Sequence, residues 1–183
     1  YNYRAGNDGR EIFYYDGTST IQLTNNNYAD WKPQVSGSNV VWRGHSTNST
    51  SAGAEIFLYD GDSISQLTTN SYYDGAPQGS GTTVAWQAKP DGTDEEIFVY
   101  EEGVISRLTT NDYVDREPHV YGSQIAWSGF DGHDYEIFLY DGTSVTQLTD
   151  DDYNYSSPRI GDGSVYWMGS ESGDNSTYEI YYY

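Results

Sequence analysis

Cysteine is absent from this chain of 183 residues, and basic residues are scarce. Without cysteine the protein forms no disulfide bond and performs no thiol chemistry. Only 8 Lys and Arg stand against 28 Asp and Glu, which gives a formal net charge of -20. Such a surface repels phosphate backbones and anionic lipids. We therefore expect no nucleic-acid partner.

Long apolar runs are also missing. No uninterrupted stretch approaches the roughly 20 residues that a membrane-spanning helix needs, so we expect no membrane insertion. Aromatic residues are abundant instead: they form 16% of the chain, and 20 of them are tyrosines. Disordered chains are poor in such residues. The composition favours a single folded domain over residues 1–183, with an aromatic-rich core.

The sequence repeats itself with a period of about 40 residues. The segment Glu-Ile-Phe-Leu-Tyr-Asp-Gly occurs at 55–61 and again at 136–142. Close variants begin at residues 11 and 96, and a truncated copy begins at 179. Each of the first four copies is followed at fixed spacing by a Leu-Thr pair, a proline and a tryptophan, the last being Trp42, Trp86, Trp127 and Trp167. The sequence predicts that these tryptophans are buried at equivalent positions.

Each unit contains four strand patterns separated by turn residues. In one unit they are Pro77–Ser80, Thr83–Ala88, Glu96–Tyr100 and Val104–Thr109. The Asp-Gly pairs at Asp16, Asp60 and Asp141 predict tight two-residue hairpin turns between the third and fourth strands. No 3.6-residue apolar period indicates a helix. The pattern is typical of an all-β protein, a β-propeller with four-stranded antiparallel blades.

The two ends of the repeat array set the expected number of blades. The first unit begins on a second strand near residues 1–4, and the last ends after a third strand at Glu179–Tyr183. We expect five blades, of which the first and last are incomplete. Two alternatives stay open: a piece of a larger propeller, or a protomer whose terminal strands complete a neighbour's blade, because an open strand edge invites strand addition.

The order Pro-x-x-x-Gly, Val-x-Trp, Glu-Ile-Phe-x-Tyr-Asp-Gly and Gln-Leu-Thr resembles the TolB-like branch of the WD40-like propeller repeats. It is most similar to tandem repeats of secreted or surface-attached bacterial proteins. The sequence departs from the TolB pattern, Ser-Pro-Asp-Gly, at four turns, Ser36-Gly37, Ser80-Gly81, Tyr121-Gly122 and Asp162-Gly163. The resemblance implies a propeller fold and an extracellular or cell-surface location, and it implies no activity.

Catalysis has little support in the sequence. Glycoside hydrolysis needs two carboxyl groups at a defined separation. The innermost strands offer Gln34, Gln78, His119 and Arg159 after their prolines, with no carboxylate among them. The three histidines occupy unrelated repeat positions, and no nucleophile or zinc motif is present. We therefore expect a protein that is not an enzyme.

Two acidic sets are candidate cation or ligand sites. Asp91, Asp94, Asp131 and Asp134 lie in the loops between second and third strands, where alternating carboxylates suit calcium, the one cofactor that we consider. The alternative is an ordinary hairpin turn. The second set precedes each blade proline by three residues and either rings one mouth of the channel or caps a connecting turn; its members are Asp30, Asp74 and Asp115.

Four equivalent tyrosines are candidate ligand platforms. They lie in polar loops and are Tyr28, Tyr72, Tyr113 and Tyr153. An exposed ring beside Asn and Asp can stack on a sugar, which gives a lectin with one glycan site per blade and a calcium requirement. Alternatively, each ring packs over the next blade's proline as a structural plug.

The C-terminal tail is the candidate surface for self-association. Tyr181, Tyr182 and Tyr183 form an uncharged aromatic end on a very acidic chain. These residues favour an interaction or assembly module that joins other copies of itself, or another surface protein, through terminal strands. The glycan-binding lectin is the alternative function.

Overall fold

The structure, a computed structural model, describes residues 9–45, 53–92, 94–171 and 178–183. These residues form 17 strands in five antiparallel sheets, and none of them is helical. The first sheet consists of β1 (Phe13–Tyr15) and β2 (Thr20–Gln22), and the second of β3 (Asp30–Ser36), β4 (Asn39–Gly44), β5 (Glu55–Tyr59) and β6 (Ile64–Gln66).

The remaining three sheets repeat the same up-and-down order. The third consists of β7 (Asp74–Ser80), β8 (Thr83–Ala88), β9 (Glu96–Glu101) and β10 (Val104–Arg107), and the fourth of β11 (Asp115–Tyr121), β12 (Gln124–Phe130), β13 (Tyr135–Tyr140) and β14 (Val145–Gln147). The last contains β15 (Tyr153–Gly161), β16 (Ser164–Glu171) and β17 (Glu179–Tyr182). The four-stranded antiparallel blade is confirmed. The closed five-bladed ring stays a prediction, and the strand expected near residues 1–4 lies outside the described residues.

The Leu-Thr pair fastens the outer strand of each blade to the third strand. In the third blade, the Leu108 amide donates to the carbonyl of Ile97, and the Ile97 amide donates to Thr109 Oγ1. The same two bonds occur in the first, second and fourth blades. Because Thr109 bonds through its side chain, the ladder ends earlier than the sequence predicts, at Arg107.

The inner strands begin before the predicted start, by three residues in the second, third and fourth blades and by five in the last. The third blade's inner strand begins at Asp74, and its pairing with β8 shifts register between Gly75 and Gln78. Ala76 lies in this bulge and has a φ of 49°. The residue before the proline has positive φ in all four described inner strands. A proline at this position therefore coincides with a bulge, where the lost amide donor is tolerated.

The turns at the three Asp-Gly pairs differ from the prediction. Only the glycine has positive φ, for example Gly17 at 97°, and the loop from Asp16 to Ser19 has four residues. The Asp16 carboxylate accepts hydrogen bonds from the amides of Thr18 and Ser19. This side-chain cap, typical of aspartate in turns, accompanies a backbone bond from the Asp16 amide to the Ser19 carbonyl, and together they form a turn other than the one expected.

The core lies between successive blades. We call the face of a blade that packs on the following blade its trailing face, and the opposite one its leading face. In the third blade, Ile97 and Val99 on the trailing face pack on Trp127 of the fourth blade. Trp86 and Phe98 stack on the leading face with ring centroids 5.8 Å apart and contact the second blade. All four repeat tryptophans are buried, as predicted.

Hydrogen bonds between the turns of adjacent blades add to this packing. The Gly81 amide donates to Ser36 Oγ, and the Gly122 amide donates to Ser80 Oγ.

Among the described residues there is no helix long and apolar enough to cross a membrane.

Candidate functional site

The aspartates at the blade junctions are buried and hydrogen-bonded. In the third blade, Asp74 Oδ1 accepts from Trp86 Nε1 at 2.8 Å, and Asp74 Oδ2 accepts from Asn70 Nδ2 at 2.6 Å. Burial raises the pKa of Asp74 to about 6. Asp30 and Asp115 make the same two bonds. These three carboxylates are buried and hold the connecting loops, which agrees with the second of the two roles that the sequence left open.

The last blade reverses this arrangement. Tyr155 occupies the aspartate position and donates its hydroxyl proton to Asp151 Oδ2 at 3.0 Å. Burial, with the Asp151 carboxylate, raises the pKa of Tyr155. The indole nitrogen of Trp167 is buried without a hydrogen-bond partner. The loop is still tied down, but the tryptophan has lost its acceptor.

The four loop tyrosines are not equally accessible. Tyr113 and Tyr153 are exposed to 44% and 37%, whereas Tyr28 and Tyr72 are half-buried. Tyr72 packs against the core between the second and third blades. The backbone amide of each tyrosine donates to a side-chain oxygen two residues earlier, and these bonds keep the loops alike. Equivalence in sequence therefore does not give four equivalent ring surfaces.

In the third blade, a basic side chain neutralises the acidic loop between β8 and β9. Arg107 on β10 extends its guanidinium across this loop. One nitrogen lies 3.2 Å from Asp91 Oδ2, and another lies 2.8 Å from Oε1 of the buried Glu96. Asp91 is therefore engaged in an ion pair, and among the residues that the structure describes no group of three potential metal ligands includes Asp91 or Asp94.

In the fourth blade, the equivalent loop gathers three carboxylates. Asp131, Asp134 and Glu136 each offer an oxygen within 4.8 Å of the other two. Asp134 is only 2% exposed, and its Oδ1 has no hydrogen-bond partner. Burial raises the pKa of Glu136, and the nearby Asp134 carboxylate raises it further. A second group of three side chains shares Asp134 and adds His133 and Asp152.

Of these ligand candidates, the sequence identified Asp131 and Asp134 but missed Glu136. In the sequence, Glu136 stands out only as a landmark of the repeat. The signal that could have found it is the residue at the position of Arg107, which is Gln147 in the fourth unit. Glutamine also holds this position in the first and second units, as Gln22 and Gln66, so Arg107 is the exception. A loop that has the acidic residues without the arginine is a candidate for binding a cation.

The trailing face of the last blade is apolar and exposed. Cross-strand pairs place Tyr166 beside Tyr182 and Met168 beside Ile180. Ile180 and Tyr182 are both 79% exposed. We call these four residues the terminal patch. In the fourth blade, the residue equivalent to Ile180 is Ile137, which is fully buried against the last blade.

The three C-terminal tyrosines do not form one exposed tail. Tyr181 packs on Trp167 with ring centroids 6.5 Å apart and joins the core between the fourth and last blades. Tyr182 and Tyr183 are exposed, although the Tyr183 backbone exchanges two hydrogen bonds with Val165. The candidate contact surface therefore consists of the terminal patch, with Tyr183 at its border.

Solved structures with the same fold are β-propellers. TolB from Acinetobacter baumannii aligns with a TM-score of 0.65 and 20% identity over 93% of this chain and 44% of that one. The β-propeller domain of the Trilobed protease from Pyrococcus furiosus is described as having an open velcro topology. It aligns with a TM-score of 0.66 and 10% identity over 90% of this chain and 54% of that one. Pyrococcus horikoshii acylaminoacyl peptidase aligns with a TM-score of 0.66 and 13% identity over 91% of this chain and 27% of that one.

These likenesses confirm the propeller fold and the resemblance to TolB at the level of fold. At such identities they say nothing about activity, since one fold hosts many functions. The chain spans 27% to 54% of the lengths of these three solved chains. A scan against protein-family models and a search of curated proteins found no match.

Proposed function

We propose that this protein is a non-enzymatic interaction module of the extracellular space or cell surface, which associates with further copies of itself through its end blades. The observation that carries the proposal is the terminal patch. Large exposed apolar patches on folded proteins mark interaction sites. The net charge of -20 makes such a patch stand out further, because the rest of the surface is strongly acidic.

The packing between the inner blades supports a head-to-tail contact. Each trailing face packs against the aromatic leading face of the next blade, as Ile137 does against Trp167. On the first blade, Phe13 and Tyr15 occupy leading-face positions and are exposed. Contact between the terminal patch of one copy and the first blade of another repeats an interface that the chain already forms internally. Such head-to-tail contacts produce chains or rings of protomers.

An alternative use of the same surfaces is contact within one copy, which closes the propeller ring. The two cases differ in molecular mass. Light scattering of the full chain across a range of concentrations is expected to show a mass that rises with concentration. The variant Ile180→Glu together with Tyr182→Glu is expected to remain monomeric, because it places charge in the apolar patch.

Val104→Glu is the matched control, since Val104 is an exposed apolar residue on an outer strand. It is expected to associate like the unmodified chain. A strictly monomeric unmodified chain at all concentrations contradicts the proposal and favours ring closure. Equal masses for the patch variant and the unmodified chain also contradict it.

Glycan recognition is the second candidate, and the exposed rings of Tyr113 and Tyr153 favour it. Aromatic faces stack on sugar rings, and neighbouring polar groups bind hydroxyls. Tyr113→Ala is expected to weaken binding to a glycan array at least tenfold, with Tyr121→Ala, an exposed tyrosine in a different turn, as the control. An array without any bound glycan, with and without calcium, excludes this function.

A further inference from the structure

The loop between β12 and β13 in the fourth blade concentrates negative charge in a partly buried place. Asp131 is exposed, whereas Asp134 and Glu136 are buried, and one oxygen of each lies within 4.8 Å of the others. Buried charges are normally paired or coordinate a metal ion, because removing them from water is costly. Three carboxylates this close repel one another when all are ionised, so they favour a proton or a metal cation between them, in addition to the His133 imidazole at Asp134 Oδ2.

Asp134 Oδ1 is the buried oxygen of this loop that lacks a bonding partner. The side chain is almost fully buried, and its other oxygen, Oδ2, already bonds to His133 Nδ1 at 3.1 Å. Oδ1 has no hydrogen-bond partner. A buried carboxylate oxygen without a donor loses its hydration and gains nothing in return. This oxygen is therefore available to coordinate a cation.

In the third blade, an arginine side chain pairs with the equivalent carboxylates. There, the Arg107 guanidinium bridges Asp91 and Glu96, which are the counterparts of Asp131 and Glu136. In the fourth blade, the position of Arg107 holds Gln147, whose amide donates to the carbonyl of Thr149 at 2.9 Å. The fourth blade therefore has the same acidic residues as the third without an arginine at this position to pair with them.

We propose that Asp131, Asp134 and Glu136 bind one calcium ion, which takes the role that the Arg107 guanidinium has in the third blade. Carboxylate oxygens are hard ligands of the kind that calcium prefers, and backbone carbonyls and water complete its coordination. The site is independent of the proposed self-association, since it lies on the loop between β12 and β13 of the fourth blade and not on the terminal patch.

Calcium titration of the full chain, first stripped with a chelator, tests the proposal by calorimetry and thermal unfolding at constant ionic strength. The expected result is one site with a Kd of about 0.1–1 mM, as in extracellular calcium modules, and a melting temperature that rises with calcium concentration. Asp134→Asn is expected to weaken binding at least tenfold. Asp62→Asn removes one exposed charge in the second blade and is expected to leave binding unchanged.

Gln147→Arg provides a second test that keeps all three carboxylates. The introduced guanidinium is expected to occupy the site, so the variant melts higher than the unmodified chain without calcium and no longer responds to it. Absence of heat and of a melting shift in the unmodified chain overturns the proposal. So does an equal response of Asp134→Asn and Asp62→Asn, which indicates general screening, or an unreduced calcium affinity in Gln147→Arg.

Discussion

The third and last blades use the same repeat positions in opposite ways. In the third blade, Asp74 accepts hydrogen bonds from Trp86 and from a loop asparagine. In the last blade, Tyr155 is the donor, and the loop residue Asp151 is the acceptor. The hydrogen bond to the loop forms in both blades because the donor and the acceptor have changed places together. The exchange teaches that the repeat retains the bond between this position and the loop, not a particular residue, whereas the bond to the tryptophan is absent at Trp167.

The trailing faces of these two blades differ as well. Ile97 in the third blade is covered by the fourth blade, whereas Ile180 in the last is covered by no described residue. Identical side chains at identical repeat positions therefore have different energetic roles. One stabilises the fold, and the other is available for contact with a partner.

The largest effect is expected from truncating these two isoleucines. Ile97→Ala removes fully buried methyl groups and leaves a cavity, so the free energy of unfolding should fall by about 3–4 kcal/mol. Ile180→Ala should lower it by less than about 0.5 kcal/mol, since an exposed side chain loses little on truncation. Urea unfolding at low protein concentration measures both. Equal losses would show that the last blade is covered in solution.

The next effect concerns the polar pairs. Asp74→Ala leaves Trp86 Nε1 and the Asn70 amide without acceptors in a buried place, and should cost about 3 kcal/mol. Tyr155→Phe removes the donor only from Oδ2 of the exposed Asp151, whose Oδ1 still accepts from the Tyr153 amide, and should cost about 1 kcal/mol. Urea unfolding of the two variants compares them. A larger loss for Tyr155→Phe would contradict the roles assigned to the two pairs.

The pH dependence of the unfolding free energy should also differ between variants of the third and last blades. Burial raises the pKa of Asp74 from 3.8 to about 6. The folded state therefore holds a proton that the unfolded state releases between about pH 4 and pH 6, and stability from this group falls as pH rises through that window. The loss should be about 2 kcal/mol. It is measured as the unfolding free energy of the unmodified chain minus that of Asp74→Asn. Tyr155→Phe should keep the slope of the unmodified chain, because no carboxylate is removed.

The smallest expected effect lies in the bulges of the inner strands. Ala76 in the third blade holds a φ of 49°, which costs an L-residue energy that glycine does not pay. Ala76→Gly should raise the unfolding free energy by about 0.5 kcal/mol. Ser157→Gly in the last blade should gain less, because the Ser157 hydroxyl also donates to Glu117. A thermal-unfolding comparison in which Ser157→Gly gains more would contradict this reasoning.

The strands and the buried tryptophans could be predicted because they depend on local periodicity and repeat spacing. The inner bulge could not, since a proline alone does not specify the φ of Ala76. The burial of Asp74 depends on which strand pairs with it across the blade. The carboxylate cluster at Glu136 required knowing that Gln147 stands where Arg107 would reach, a neighbour relation between strands that the order of residues does not display.

The hydrogen bonds between adjacent turns have a consequence for how this protein is built. The bonds from Gly81 to Ser36 and from Gly122 to Ser80 each join one unit only to the next. A chain whose ties reach only its nearest neighbours gains stability as a sum of unit and interface terms. Folding of such an array can begin at any junction and spread outward from it. During synthesis, each emerging unit therefore finds its partner already in place, and a duplicated unit adds one interface without altering the others.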